Sequence, residues 1–148
     1  MQKPEVTWPH KVSIGSDCLI EKGVAFKHDG IWSPGKSIMI GDRVFIGKGA
    51  EFNIRLGISI GNDCLIASGC RFIDHDHGMK PQWPMRSQSG PEQEIVIGND
   101  VWIGCNAVVL KGVRIGDGAV VGAAALINRP VPPGEIWAGI PAKKIGSR

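Results

Sequence analysis

Bulky aliphatic residues recur at every sixth position through the second half of the chain. Between residues 97 and 127 they are Ile97, Ile103, Val109, Ile115, Val121 and Ile127. Small or β-branched residues lie two positions before the last five of them, and a glycine directly follows four of them. A period of six fits neither an amphipathic helix, with a period of about 3.6, nor a single alternating strand, with a period of about 2. The spacing predicts a solenoid in which short strands are joined by tight corners.

The same template begins at four places in the chain: an aliphatic residue and a glycine, with further apolar residues six and twelve positions after the aliphatic. The blocks start at Ile14, Ile40, Ile60 and Ile97, and include IGDRVFIGKGAEF and IGNDVWIGCNAVV. We therefore expect one all-β domain over residues 1–148, with coils at about 12–77 and 95–128.

Four segments depart from the template. Residues 27–37 break the spacing with Gly30, Pro34 and Gly35 and are expected to form a loop or a widened turn. Residues 74–94 contain histidines, prolines and glycines without the six-residue spacing, and a long loop of this kind is usually functional. Residues 129–148 begin rich in proline and are expected to cap the open edge of the last coil. Residues 1–11 are expected to form an irregular lead-in.

Composition and charge narrow the choice of partners. The chain has 17 Lys and Arg against 14 Asp and Glu, a formal net charge of +3, and the charges are dispersed. A nucleic-acid-binding protein would show a clustered basic stripe, so we expect no nucleic-acid partner. No apolar run is long enough to cross a bilayer, and the first four residues do not open a signal peptide. A cytoplasmic protein without membrane insertion is expected.

Three of the four cysteines follow the repeat, and the four show no zinc-ligand spacing. Cys18, Cys64 and Cys70 occupy the position otherwise taken by small or β-branched residues, so we expect them to be buried, reduced thiols. Cys105 lies in a corner instead, where it would face a site.

The repeats, the loop FIDHDHGM, the run IGNDVWIG and the tail VPPGEIWAGIPAKKI together resemble the hexapeptide-repeat acyltransferases. The likeness covers about residues 38–145. It is greatest to the maltose and galactoside O-acetyltransferase-like branch, which includes sugar acetyltransferases of polysaccharide assembly. The resemblance implies a left-handed parallel β-helix, a homotrimer, acetyl-CoA as the donor co-substrate and no required metal. The handedness is implied by the resemblance alone, because a period of six does not determine it.

The resemblance also implies a catalytic base five residues after the last aliphatic position of its coil. Here Phe72 is that position, so the base is predicted at His77, with His75 as the alternative base or a substrate contact. An imidazole can take the proton of the acceptor hydroxyl while the oxygen attacks the thioester carbonyl. Asp74 or Asp76 would orient the ring or hold the sugar. Transfer would be direct, with a backbone N–H stabilising the oxyanion.

Donor and acceptor contacts are implied by position. The donor contacts are Trp102, Cys105, Ala123, Asn128, Arg129 and Lys143. Cys105 stands where a serine is usual, and a thiol is a poorer hydrogen-bond donor. Arg129 and Lys143 suit the phosphates of coenzyme A. The acceptor pocket is expected to be shaped by Met79, Trp83, Met85 and Arg86.

Three other interpretations stay open at this stage. An amino sugar could accept the acetyl group through the same donor site and base. A γ-type carbonic anhydrase shares the repeat, and His75 and His77 could supply two zinc ligands. The remaining histidines, His10 and His28, lie far upstream. A non-catalytic β-helix scaffold would carry the repeat without needing the DHDHG loop.

Overall fold

The computed structural model describes residues 3–148, which form short strands and two short 3-10 helices. The strands are β1 (Glu5–Val6), β2 (Val12–Ile14), β3 (Leu19–Ile20), β4 (Ala25–His28), β5 (Ile38–Ile40), β6 (Phe45–Ile46), β7 (Glu51–Ile54), β8 (Ile58–Ile60), β9 (Leu65–Ile66), β10 (Arg71–Ile73), β11 (Ile95–Ile97), β12 (Trp102–Ile103), β13 (Val108–Leu110), β14 (Arg114–Ile115), β15 (Val120–Val121), β16 (Leu126–Ile127), β17 (Glu135–Gly139) and β18 (Ala142–Ser147). The 3-10 helices are Pro9–Lys11 and Met85–Ser87.

The strands form three sheets whose members come from successive coils. Sheet A has the order β1-β4-β7-β10-β13-β16, sheet B has β2-β5-β8-β11-β14, and sheet C has β3-β6-β9-β12-β15-β17-β18. Every pair is parallel except β17 with β18. Because strands that are three apart along the chain pair in parallel through most of its length, the chain winds as a β-helix. The all-β solenoid predicted from the six-residue spacing is confirmed.

Apolar side chains fill the inside of the β-helix. The aliphatic residues of the repeat from Ile97 to Ile127 are all buried. Phe26, Phe52 and Phe72 stack in sheet A, with ring centroids 5.0 and 4.7 Å apart. We call these three residues the phenylalanine column.

The cysteines lie largely as the repeat predicts. Cys64 and Cys70 are buried, whereas Cys18 is half-buried and Cys105 is exposed. Burial raises the pKa of the Cys70 thiol to about 11, and it also raises that of Cys64. These two thiols are therefore protonated side chains of the core at neutral pH.

The glycine of the template is required where sheet B turns into sheet C. At this corner Asp42 Oδ1 accepts the backbone N–H of Ser16 in the preceding coil, and Asn62 Oδ1 accepts that of Asp42, both at 2.8 Å. A Cβ on Gly15 or Gly41 would overlap the carboxylate or amide oxygen of the next coil. The aliphatic–glycine pair therefore marks a corner in which side chains link successive coils.

The two ends of the chain extend the sheets. The lead-in is not irregular throughout, because Glu5–Val6 pairs in parallel with β4, where the edge of sheet A offers unpaired backbone groups. The first two residues of the predicted lead-in lie outside the described residues. At the other end, β17 continues sheet C beside β15 and turns back into β18 through a cis Ile140–Pro141 bond.

Candidate active site

Two long connections leave the β-helix at the corner between sheets A and B. One joins β4 to β5 and the other joins β10 to β11, while the intervening coil turns this corner with a short link from β7 to β8. Three residues after each member of the phenylalanine column, the same corner carries Asp29, Arg55 and His75. We call these three residues the corner column. They combine a carboxylate, a guanidinium and an imidazole in successive coils.

Asp74 anchors this corner from inside. Its side chain is fully buried, and its carboxylate accepts the backbone N–H groups of Arg55, Leu56 and Gly57 at 2.8, 2.7 and 2.8 Å. The same carboxylate lies 2.9 Å from Nδ1 of His75. One side chain therefore fixes both the turn of the second coil and the orientation of the imidazole ring.

His75 is held between two carboxylates. Its side chain is 5% exposed, its Nδ1 faces Asp74, and its Nε2 lies 3.2 Å from Oδ2 of Asp29. Asp29 in turn accepts a hydrogen bond from Nη2 of Arg55 at 2.9 Å. When Nδ1 donates its proton to Asp74, Nε2 is the nitrogen left to receive a proton. Both ring nitrogens therefore lie against carboxylate oxygens, and the imidazole is fixed in one orientation.

His77 has a different environment. Its side chain is exposed, and none of the side-chain hydrogen bonds among residues 3–148 involves it. Its neighbour Asp76 pairs with Lys111. The structure thus brings Asp74 to His75 and not to His77, and the choice of His77 as base stays a prediction.

The predicted acceptor contacts all lie on the second long connection. Met79, Trp83, Met85 and Arg86 are exposed there, the last two within a 3-10 helix. The first connection also presents two exposed apolar residues that the repeat does not single out, Ile31 and Trp32. Aligning each block on its phenylalanine would have placed both connections at one corner.

Trp102 belongs to a row of apolar side chains on the outer face of sheet C. Strand register aligns Leu19, Phe45, Leu65, Trp102, Val120 and Ile136. Leu19, Leu65 and Trp102 are each more than half exposed. A surface cavity of about 250 Å³ lies beside Trp102, Val120 and Arg148. Among residues 3–148, this row forms a largely exposed apolar surface.

The other predicted donor contacts are spread over the last coils. Cys105 and Ala123 are exposed in neighbouring corners between sheets C and A, where the carbonyl of Cys105 accepts the N–H of Ala124 at 2.8 Å. The remaining predicted contacts, Asn128, Arg129 and Lys143, are also exposed. Asn128 and Arg129 directly follow β16, and Lys143 lies on β18.

Two general features complete the description of the surface. Within residues 3–148, no three His, Cys, Asp or Glu side chains are grouped closely enough to hold a metal ion. Among the same residues, no helix combines the length and apolar character needed to cross a membrane.

Known proteins share both the repeat and the fold. The profile of the bacterial transferase hexapeptide (six repeats) matches residues 94–129, and that of the hexapeptide repeat of succinyl-transferase matches residues 37–70. The hexapeptide-repeat-containing acetyltransferase VCA0836 of Vibrio cholerae is 31% identical, with a TM-score of 0.77, over 90% of this chain and 72% of that one. The chain belongs to the hexapeptide-repeat acetyltransferases. Its β-helix is the left-handed form of this family.

Two further relatives of this chain are informative. The putative lipopolysaccharide biosynthesis O-acetyl transferase WbbJ of Escherichia coli is 42% identical over 96 residues, which cover 60% of this chain and 49% of WbbJ. A galactoside acetyltransferase solved in complex with coenzyme A is 28% identical, with a TM-score of 0.79, over 90% of this chain and 64% of that one. The chain spans less than half the length of the curated relatives that it matches.

Proposed function

We propose that this chain transfers an acetyl group from acetyl-CoA to a hydroxyl of a sugar or polysaccharide precursor. The observation that carries the proposal is the buried imidazole of His75, held by Asp74 at the corner from which both long connections leave. The acetyltransferase relatives, one of them described as an O-acetyl transferase and another as a galactoside acetyltransferase, support the reaction class. The cytoplasmic location stays a prediction.

The proposed reaction is a direct transfer without an acyl-enzyme. The acceptor oxygen attacks the thioester carbonyl, a carbon–oxygen bond forms, and the carbon–sulfur bond then breaks. The imidazole takes the hydroxyl proton as attack proceeds and returns it to the departing thiolate of coenzyme A. A backbone N–H stabilises the negative charge that develops on the carbonyl oxygen.

We favour His75 over His77 as the base. A general base works best when its ring is fixed and its accepting nitrogen is directed at the substrate. His75 has its Nδ1 fixed by a buried carboxylate, whereas His77 is exposed and has no such partner among the described residues. Asp74 is then the residue that orients the base, a role predicted from the sequence for Asp74 or Asp76, and its partner is His75.

The donor site is proposed on the outer face of sheet C and the corner beside it. The apolar row that contains Trp102 is largely exposed in one chain, and the corner that carries His75 lies between the other two sheets. In a homotrimer a neighbouring copy would cover the row and bring its own corner between sheets A and B to these donor contacts, so that the site would form between two copies. Cys105 and Ala123 would line the pantetheine arm of acetyl-CoA. Asn128, Arg129 and Lys143 would meet its phosphates, since phosphate favours cationic donors.

The test is the release of free thiol from acetyl-CoA across a panel of glucose, galactose, N-acetylglucosamine, glucosamine and their nucleotide-linked forms. We expect at least one sugar to stimulate release. His75→Ala should lower the stimulated rate by about 10²- to 10⁴-fold, the usual contribution of a general base, and should still bind acetyl-CoA. His77→Ala should remain close to wild type.

Other outcomes would change the proposal in defined ways. Loss of activity in His77→Ala alone would restore the base predicted from the sequence. An acetylated product that resists mild alkali would be an amide rather than an ester, which would move the function to N-acetylation of an amino sugar. If acetyl-CoA neither bound nor turned over, the proposed activity would be wrong and a scaffold role would take its place.

A further inference from the structure

Asp29 has no role in the function proposed above, yet its carboxylate touches the proposed base. Asp29 Oδ2 lies 3.2 Å from Nε2 of His75 and 2.9 Å from Nη2 of Arg55. Arg55 Nε also donates to the main-chain oxygen of Asp29 at 3.3 Å. The guanidinium therefore fixes both the side chain and the backbone of Asp29 against the imidazole.

The charge of Asp29 follows from these contacts. Partial burial acts to raise the pKa of the Asp29 carboxyl, but the hydrogen bond and the positive charge of Arg55 outweigh it, and the pKa lies below its ordinary value. At neutral pH the side chain is an ionised carboxylate, which accepts hydrogen bonds and donates none. It is 35% exposed, against 5% for His75, so it is the member of the pair that an incoming molecule reaches first.

The number of protons on the reacting hydroxyl restricts which acceptors can bind beside His75 and Asp29. The reacting hydroxyl has one proton, which it must donate to Nε2 of His75. It has no second proton for Asp29, whose Oδ2 keeps the hydrogen bond from Nη2 of Arg55 but would lose the water that reaches its exposed side, and an incoming group that replaces this water without donating a hydrogen bond is unfavourable. Nε2 and Oδ2 are 3.2 Å apart, a spacing that two neighbouring groups on one molecule can contact through parallel hydrogen bonds.

We propose that Asp29, held by Arg55, is a substrate-binding residue that selects acceptors carrying a second hydrogen-bond donor next to the reacting hydroxyl. The acceptor class is thus a vicinal diol or a 1,2-amino alcohol. The reacting hydroxyl faces Nε2 of His75, and the neighbouring hydroxyl or amine donates to Asp29. This inference rests on the proposed function and on His75 as its base, and it adds a requirement on the acceptor.

The experiment uses the most active sugar of the panel described above, together with its deoxy derivative that lacks the hydroxyl next to the acetylated position. In Asp29→Asn we expect the KM for the sugar to rise about 10- to 100-fold, the loss typical of a hydrogen bond to a charged group. The KM for acetyl-CoA should not change. With the deoxy sugar, the KM of the wild type should rise by a similar factor. The KM of Asp29→Asn should rise little further when the deoxy sugar replaces the sugar.

A matched control is Glu51→Gln, which removes the charge of another carboxylate paired with an arginine, 3.1 Å from Arg71 on the outer face of sheet A. It should leave both KM values unchanged. If Asp29→Asn kept its KM for the sugar, or the wild type used the deoxy sugar equally well, the inference would be wrong while the proposed function stood. An equal loss of sugar-dependent turnover and of acetyl-CoA hydrolysis without sugar would show that Asp29 merely holds His75. If no sugar of the panel released thiol, the proposed function would fail and this inference with it.

Discussion

Two columns of side chains cross the same three coils, one inside the β-helix and one at its corner. The phenylalanine column is buried and stacks at 5.0 and 4.7 Å between centroids. The corner column lies three residues further along each coil and sets an imidazole and a guanidinium against one carboxylate. Parallel coils bring corresponding residues into line, so each column follows from the repeat itself. Inside the β-helix, the aligned residues are alike and pack as a buried column. At the corner, the aligned residues differ in charge and form the candidate active site.

The difference between the columns also separates stability from chemistry. The phenylalanine column belongs to strands that keep their register through the three coils. The corner column lies where that regularity is broken, because the first and third coils insert long connections and the second does not. Only at such a break can polar side chains face one another beside exposed loops. Substitutions in the two columns should therefore affect different measurements.

The largest effect on stability is expected from Phe52→Ala, which removes the middle ring of the phenylalanine column. Phe52 is fully buried, and truncation of a buried phenylalanine costs about 3–5 kcal/mol. Phe52→Leu keeps most of the volume and should cost roughly 1–2 kcal/mol. The measurement is the free energy of unfolding from denaturant titration. Trp32→Ala, which truncates an exposed aromatic ring on the first connection, is the control and should change it by less than about 0.5 kcal/mol.

Asp74→Ala should affect both stability and activity, and it tests the link between the columns. The substitution leaves the N–H groups of Arg55, Leu56 and Gly57 without their acceptor, at about 1–3 kcal/mol for each group that stays unsatisfied. It also frees the ring of His75. Asp74→Asn keeps one acceptor oxygen and should lose less stability than Asp74→Ala.

The two variants are compared by denaturant unfolding and by thiol release from acetyl-CoA. Both should be less active than wild type, because neither holds Nδ1 of His75 with a full carboxylate. An Asp74→Ala protein with wild-type stability would show that the corner does not depend on this side chain. An Asp74→Ala protein with wild-type activity would remove Asp74 from the role of orienting the base.

Much of the fold could be predicted from the sequence because the repeat is a local signal. Glycine corners, the burial of Cys64 and Cys70, and the break at residues 74–94 all follow from the position of a residue in its block. The strand at Glu5–Val6 was missed, since two residues carry no periodicity and pair only because an edge is available.

The corner column was missed for a different reason. Successive blocks start 26, 20 and 37 residues apart, at Ile14, Ile40, Ile60 and Ile97, so residues that align in space are not equally spaced along the chain. The sequence also could not decide between His75 and His77. Both histidines follow the end of a strand, where the alternation that distinguishes inward from outward side chains no longer applies. Partners such as Asp29 become visible only once the coils are stacked.

The smallest predicted effect comes from a third aligned set, the residues with positive φ at the corner between sheets C and A. They are Gly23, Gly49, Gly69, Asn106 and Ala124. Ala124 has a φ of 58°, a conformation that is unfavourable for a residue with a Cβ and open to glycine. Ala124→Gly should therefore raise the free energy of unfolding by about 0.5–1 kcal/mol, after the greater flexibility of glycine in the unfolded chain is subtracted.

The neighbouring alanine provides the control for this prediction. Ala125 is buried and is absent from the residues with positive φ. Ala125→Gly should therefore lower the free energy of unfolding by about 1 kcal/mol, because glycine makes the unfolded chain more flexible and a buried methyl group is lost. Opposite signs at adjacent positions cannot arise from a general tolerance of glycine in this coil. If both variants were destabilised equally, the strain assigned to Ala124 would be absent. The aligned corner positions would then be set by sequence preference for turns rather than by backbone conformation.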